Sequence, residues 1–208
     1  MNRLHVMFSI AFVVSFTMIS GCIPPPSLNP IFTDQDIVYD PDLVGEWTAF
    51  EEYKWTFQKG SGDFYQMTTP NDKGIIMTYV AYLGKIKDTL YLDIYLDEKF
   101  ISEEHKDLTL TTIPVHRFLK MKKTGMDWEI SMMSYDWFKA YIEENPDAIA
   151  IWNSIDVDLN LHNSWGPEMI ITASTEELQK FLIKCESIKG AFNSDVTSTL
   201  KRIKPKEK

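Results

Sequence analysis

From residue 43 onward, the chain shows an alternation of apolar and polar residues that is typical of half-buried strands. Between Tyr53 and Gln58, for example, aromatic residues alternate with Lys, Thr and Gln. Turn residues such as Gly, Asn and Asp separate these stretches at hairpin spacing. We therefore predict seven strands, the first opening at Gly45-Glu46-Trp47 and the others at 53–58, 64–69, 75–83, 89–96, 109–120 and 126–133. Strands joined in this way indicate a mainly β fold, an antiparallel meander that curls into a barrel or half-barrel.

A helical period replaces the alternation after residue 134. The spacing of apolar residues predicts one helix at about 135–145, capped by Ser134, and a second at about 175–189, opened by the capping box from Ser174 to Glu177. Cys185 falls on the apolar stripe of the second helix, so we expect its thiol to be buried. Two short strands, at 155–161 and 169–172, are predicted between the helices.

The N-terminus combines three features of an exported leader. Arg3 gives it a positive start, Leu4–Ile19 is mostly apolar, and the small residues Ser20 and Gly21 precede Cys22. The apolar run is shorter than the roughly 20 residues of a spanning helix. Prolines soon after Cys22 prevent the helix from continuing.

Ile19-Ser20-Gly21-Cys22 resembles the lipobox of bacterial lipoproteins. The resemblance implies that a peptidase cuts before Cys22 and that this residue carries acyl chains such as palmitate, which anchor the protein in a membrane. In that family, an Asp directly after the Cys can hold the protein at the inner membrane. Here that position is Ile23, which implies an outer-membrane position facing the periplasm in a host with two membranes. The alternative is an ordinary signal peptide that ends near a cysteine.

The chain divides on this basis into four parts. Residues 1–21 are the predicted signal peptide, 22–42 a membrane tether and spacer, 43–192 the β domain, and 193–208 a flexible basic tail. Within 22–42, the proline-led start is predicted to be extended, and the apolar part, 31–39, is expected to lie against the domain. The formal net charge is −9, and cleavage before Cys22 removes the positive charge of Arg3. Such an acidic chain is a poor binder of nucleic acid, which is recognised through Lys and Arg.

Gly45-Glu46-Trp47 resembles the Gly-x-Trp motif that opens lipocalin-like barrels. The resemblance implies a Trp that closes one barrel end, often beneath an Arg from a late strand, and Arg117 is the candidate for that Arg. An aromatic interior predicts binding of an apolar ligand; the candidate ligand-binding residues are Trp47, Tyr53, Trp55, Phe57 and Tyr79. The same rings could instead fill a solid core. Parts of the chain, 29–43 and 172–182 with the Trp47 strand, also resemble uncharacterised bacterial lipoproteins, which implies no activity.

Other candidates for chemistry are few. Asp156, Asp158, Asn160 and His162 share one face of the predicted strand at 155–161, where they could hold a cation, but an amphipathic strand with its polar face in water is the favoured explanation. His105 and His116 belong to no recognisable catalytic motif. We therefore predict no enzyme activity, no metal and no cofactor. The expected function is a lipid-anchored envelope protein that binds an apolar small molecule or, alternatively, a non-catalytic protein that recruits a protein partner.

Overall fold

The computed structural model describes residues 25–50, 53–70, 74, 76–96, 114–153 and 169–204, with residues 193–196 described by their backbone alone. Cys22 and the whole predicted signal peptide lie outside these ranges, as do His105 and the row from Asp156 to His162.

Eight antiparallel strands close into a barrel, which confirms the predicted fold class. Neighbouring strands pair in chain order from the first to the seventh, and the last strand joins the seventh to the first. The barrel strands are β1 (Gly45–Ala49), β2 (Tyr53–Lys59), β3 (Tyr65–Pro70), β4 (Ile76–Ile86), β5 (Thr89–Leu96), β6 (Arg117–Thr124), β7 (Asp127–Met133) and β10 (Phe192–Arg202).

The prediction of a flexible tail at 193–208 is wrong for most of its length, because Phe192–Arg202 forms β10. Leu200 lies opposite Trp128 of β7, and Arg202 lies opposite Trp47 of β1. The few apolar residues and the cluster of Lys and Arg hide this strand in the sequence. The two threonines at 197 and 199 have a high strand propensity, but no alternation of apolar and polar residues accompanies them.

The two predicted helices are present outside the barrel, as α1 (Tyr135–Glu144) and α2 (Thr175–Cys185). Ser134 accepts a hydrogen bond from the backbone of Trp137, and the capping box between Ser174 and Glu177 forms as predicted. A small antiparallel sheet joins the helical region to the wall, and its strands are β8 (Ile151–Asn153) and β9 (Met169–Ile171).

The barrel wall separates two hydrophobic cores. The inner core fills the barrel with side chains from the inward face of every strand, including Trp47, Phe57, Leu92, Trp128 and Leu200. Residues directly opposite each other in a sheet share a face, and the pairing register therefore assigns these positions to one side of the wall.

The outer core lies between the other face of the wall and the two helices. Tyr91, Phe118 and Met133 come from the wall, and Phe138 and Phe181 come from α1 and α2. Cys185 is buried there, as predicted, and burial raises the pKa of its thiol to about 12. A thiol with this pKa is a structural group rather than a nucleophile.

Residues 31–39 lie against the domain, as predicted, and the residues before them, 25–30, are docked as well, contrary to the prediction of an extended spacer. The backbone of Ile31 donates to the carboxylate of Asp93 over 3.1 Å, and the backbone of Val38 donates to Leu83 over 2.9 Å. The ring of Phe32 packs on the wall at Gly84, where a Cβ would lie only 2.5 Å from it. The segment is therefore part of the domain.

Candidate functional site: the less buried end of the barrel

One end of the barrel is closed by Trp47. Its ring is fully buried, and its indole nitrogen donates a hydrogen bond of 2.8 Å to the carbonyl of Leu43. Leu43 ends a short 3-10 turn, Pro41–Leu43, and its side chain is also fully buried. The turn and the indole together exclude water from this end, which we call the closed end.

Arg202, not Arg117, covers Trp47, so the prediction for Arg117 is wrong. The guanidinium carbon of Arg202 lies 4.3 Å from the centre of the Trp47 ring, within range of a cation–π contact. The same guanidinium donates to the carbonyls of Asp42 and Val44. The prediction of a flexible tail at 193–208 left Arg202 out of the candidates for this contact.

Gly45 of the Gly-x-Trp motif has a specific reason to be glycine. Its φ of +143° lies in a region that side chains disfavour, and a Cβ at this position would lie 2.6 Å from Nη1 of Arg202. The motif therefore works as a unit, in which Gly45 makes room for the guanidinium that stacks on Trp47.

Two salt bridges connect the turn at the closed end, Pro41–Leu43 with Asp40 before it, to β6. Nζ of Lys123, in β6, lies 2.8 Å from carboxylate oxygens of both Asp40 and Asp42. Tyr65 adds a buried contact, since its hydroxyl donates to the carbonyl of Asp40 over 3.0 Å and accepts from the backbone nitrogen of Asp40 over 2.7 Å. Burial raises the pKa of Tyr65 to about 12.

The opposite end, which we call the mouth, is less tightly filled. Along the inward face of β2, Phe57 is fully buried, Trp55 is partly exposed, and the side chain of Tyr53 is 50% exposed. Tyr79 of β4 is also partly exposed on this inward face. Exposure therefore rises step by step towards the mouth.

Arg117 lies at the mouth rather than the closed end. Its position opposite Ile94 assigns it to the inward face. Burial lowers the pKa of the Arg117 guanidinium, although its interaction with Tyr79 raises that pKa. Burial also raises the pKa of Tyr79, and the charge of Arg117 lowers it. The mouth thus combines aromatic surface with a positive charge that is partly withdrawn from water.

The five candidate ligand residues therefore divide into two groups. Trp47 and Phe57 are fully buried among inner-core side chains, where they stabilise the barrel. Tyr53, Trp55 and Tyr79 lie on the inward face towards the mouth, where a ligand could reach them. Sequence alternation placed Tyr53, Trp55 and Phe57 on one face but carried no information about depth along the barrel.

A groove of about 730 Å³ lies outside the barrel, between the N-terminal segment and the outer face of β4 and β5. Its lining is mainly aromatic and aliphatic, and it includes Phe32, Phe64, Val80, Tyr82 and Tyr95. Asp93 and His116 add polar groups on the same wall. This groove lies outside the barrel wall, on the face opposite the inward side chains of the mouth.

The buried Asp93 and the partly buried His116 form a pair beside that groove. Nδ1 of His116 lies 2.9 Å from a carboxylate oxygen of Asp93, whose side chain also accepts the hydrogen bond from Ile31. The carboxylate fixes the orientation of the imidazole, as in many catalytic sites. Its second role here, holding the N-terminal segment, is structural. In the sequence, the feature that points to this role is a single carboxylate, Asp93, between the aromatic residues Tyr91 and Tyr95 on the outward face of β5.

In the parts of the chain that the structure describes, no group of three or more His, Cys, Asp or Glu side chains could hold a metal ion. The candidate cation row from Asp156 to His162 stays a prediction, since it lies outside those parts.

Comparisons with family models, curated proteins and solved structures find no match. By its fold, the described part of the chain is a closed eight-stranded antiparallel barrel with two helices on its outer wall. Over the described residues, none of the helices has the length and apolarity needed to cross a bilayer.

Proposed function

We propose that this protein is a lipid-anchored protein of the bacterial cell envelope that binds an apolar small molecule at the mouth of its barrel. The observation that carries the binding proposal is the rise in exposure along the inward face of β2, from Phe57 through Trp55 to Tyr53. Aromatic rings that are inward-facing yet partly exposed offer apolar surface that a ligand could remove from water.

The closed end supports the same proposal. Trp47, Arg202 and the turn at Leu43 give one end of the barrel a stable, tightly packed structure. A ligand therefore has one direction of approach, and the barrel can keep its fold whether or not the mouth is occupied.

Arg117 suggests the chemistry of the ligand. An apolar body would contact Trp55, Tyr79 and Ile94, while an acidic group at its end would meet the guanidinium. A charge-assisted hydrogen bond to a partly desolvated Arg is stronger than one between neutral groups. We therefore expect an amphipathic acid to bind more tightly than the neutral molecule of the same length.

Native mass spectrometry of the full chain carrying Cys22→Ser tests ligand binding. Palmitic acid and hexadecanol serve as matched probes, and the expected result is a one-to-one complex that forms more readily with the acid. Arg117→Gln should remove the difference between them. Failure of both probes to bind would contradict the proposed function.

The lipid anchor is supported by the lipobox-like stretch that ends at Cys22. In a bacterial host the unchanged chain should fractionate with membranes, by our proposal the outer membrane on its periplasmic side where there are two. Cys22→Ser should move the folded protein into the soluble fraction. A Cys22→Ser chain that stays in the membrane pellet would contradict the anchor.

A further inference from the structure

The docked N-terminal segment leaves only a short connection to the proposed anchor. The backbone of Ser27 exchanges two hydrogen bonds with His116, of 2.9 and 2.8 Å, and the carbonyl of Pro26 accepts a bond of 2.9 Å from Ile171. Pro25, one residue earlier, is buried. Because a residue spans at most about 3.6 Å, the Cα atoms of Cys22 and Pro25 can be no more than about 11 Å apart.

The residues at this docking point extend the small sheet of β8 and β9. Ser27 pairs in parallel with Ile171, and the backbone of Leu28 donates to the carbonyl of Ile171 over 2.9 Å. On the other side, Trp152 lies opposite Ile170. The start of the described chain is thus an additional row of this sheet.

The two faces of the extended sheet differ in burial. Ser27 and Ile171 are fully buried on the face that meets the domain. Side chains alternate along a strand, and Ile170 and its partner Trp152 consequently belong to the opposite face. Leu28 follows Ser27 in a bend at the edge of this sheet and is exposed as well. Leu28 is 37% exposed and Trp152 is 46% exposed, while Ile170 is partly exposed. We call these three residues the tether face.

We propose that the tether face rests on the phospholipid bilayer in which Cys22 is anchored. The proposal depends on the lipid anchor proposed above. A connection of this length keeps the tether face close to the bilayer at all times, so that even a small apolar contact is favoured by the high effective concentration.

The chemistry of the tether face fits a bilayer surface. Indole rings are enriched at the membrane–water interface, and Leu and Ile gain free energy when their apolar surface leaves water. The formal charge of the chain, −9, gives no general attraction to anionic lipid. Apolar contact, rather than charge, is therefore the interaction that this part of the protein offers.

Met126 provides a matched control at a distance. It is an exposed apolar residue, with 79% of its surface accessible, in the turn between β6 and β7. Ser27 pairs with His116 just before β6, whereas Met126 follows the far end of that strand. Eight residues of strand at about 3.3 Å each separate the two points by roughly 25 Å.

Full-length Trp152→Cys and Met126→Cys, produced in a lipidating bacterial host and reconstituted in phosphatidylethanolamine–phosphatidylglycerol vesicles, test the proposal. Each added thiol is labelled with an environment-sensitive fluorophore, while the buried Cys185 stays unlabelled in the folded protein. Nitroxide-bearing lipids should remove most of the emission from position 152 and leave that from position 126 unchanged. Leu28→Cys should behave like Trp152→Cys.

Two outcomes would overturn the proposal, and they are distinguishable. A chain that is present in the vesicles but shows equal, weak quenching at 152 and 126 would contradict the tether face alone. A chain that never associates with membranes would contradict the anchor itself, and the tether face with it.

Discussion

The two ends of the barrel use similar residues for different purposes. At the closed end, Trp47 is fully buried, hydrogen-bonded and covered by Arg202. At the mouth, Trp55 and Tyr79 are partly exposed, and Tyr79 interacts with Arg117. Both ends therefore combine an aromatic ring with an arginine. At the closed end the guanidinium donates to backbone carbonyls and completes the fold, and we propose that at the mouth the combination offers a surface for a ligand.

The first way to break this comparison is to truncate the two tryptophans that face each other across β1 and β2. Trp47→Ala should lower the free energy of unfolding by about 3–5 kcal/mol, because it leaves a cavity in a packed core. Trp55→Ala should cost about 1–2 kcal/mol, since its ring is already partly exposed. Urea denaturation of both variants measures the difference. Equal losses would show that the mouth is packed like the closed end.

Alkaline pH should weaken the closed end through Tyr65. Its pKa is about 12 in the folded protein and about 10 when unfolded, so the folded state retains the proton over this interval. The contribution of Tyr65 to the free energy of unfolding is therefore fully present below pH 10. It is lost as the pH rises from 10 through 12, and the loss is at most about 2–3 kcal/mol. Denaturation midpoints measured from pH 8 to pH 12 check the slope.

Tyr65→Phe is the control for that slope. It removes the ionising group while keeping the ring, and the loss of stability above pH 10 should become smaller. An unchanged slope would assign the effect to other tyrosines.

Replacing Arg202 should sharpen the comparison between the two arginines. Arg202→Ala should cost about 1–3 kcal/mol, because the carbonyls of Asp42 and Val44 lose their donor and Trp47 loses its cation–π contact. Thermal unfolding measures the cost. Lys201→Ala, at the exposed neighbouring position of the same strand, should change stability by no more than about 0.5 kcal/mol. Similar effects at both positions would contradict the role of Arg202.

The smallest stability effect is expected at the mouth rim. Tyr53→Ser should change the free energy of unfolding by about 0.5 kcal/mol or less, since half of its side chain is already exposed. The same variant should weaken palmitate binding, which native mass spectrometry can follow. A large loss of stability with unchanged binding would exclude Tyr53 from the proposed ligand surface.

Local sequence patterns determined much of the fold. Alternation from Tyr53 onward located β2 to β5 and β7, and the capping box at Ser174 located α2. These predictions succeeded because a half-buried strand and a capped helix each leave a periodic signal within a few residues. β10 left no such signal, since polar residues fill most of its positions. The strand predicted at 109–120 was placed too early, since β6 runs from Arg117 to Thr124.

Long-range contacts explain what the sequence could not show. Arg202 reaches Trp47 only because β10 closes the barrel, and Asp93 meets Ile31 only because the N-terminal segment crosses the wall. The candidate site suffered from the same limit. Trp55 and Phe57 are both aromatic and share one face, and only the depth of each ring in the barrel distinguishes the proposed ligand surface from the core.

Photo-crosslinking with a diazirine-bearing palmitic acid would test the central claim, binding at the mouth, most directly. Mass spectrometry of the digested full chain would locate the modified residues. We expect modification at Tyr53, Trp55 or Tyr79, and competition by unmodified palmitic acid. Modification confined to the outer groove, at Phe32, Tyr82 or Tyr95, would contradict binding at the mouth.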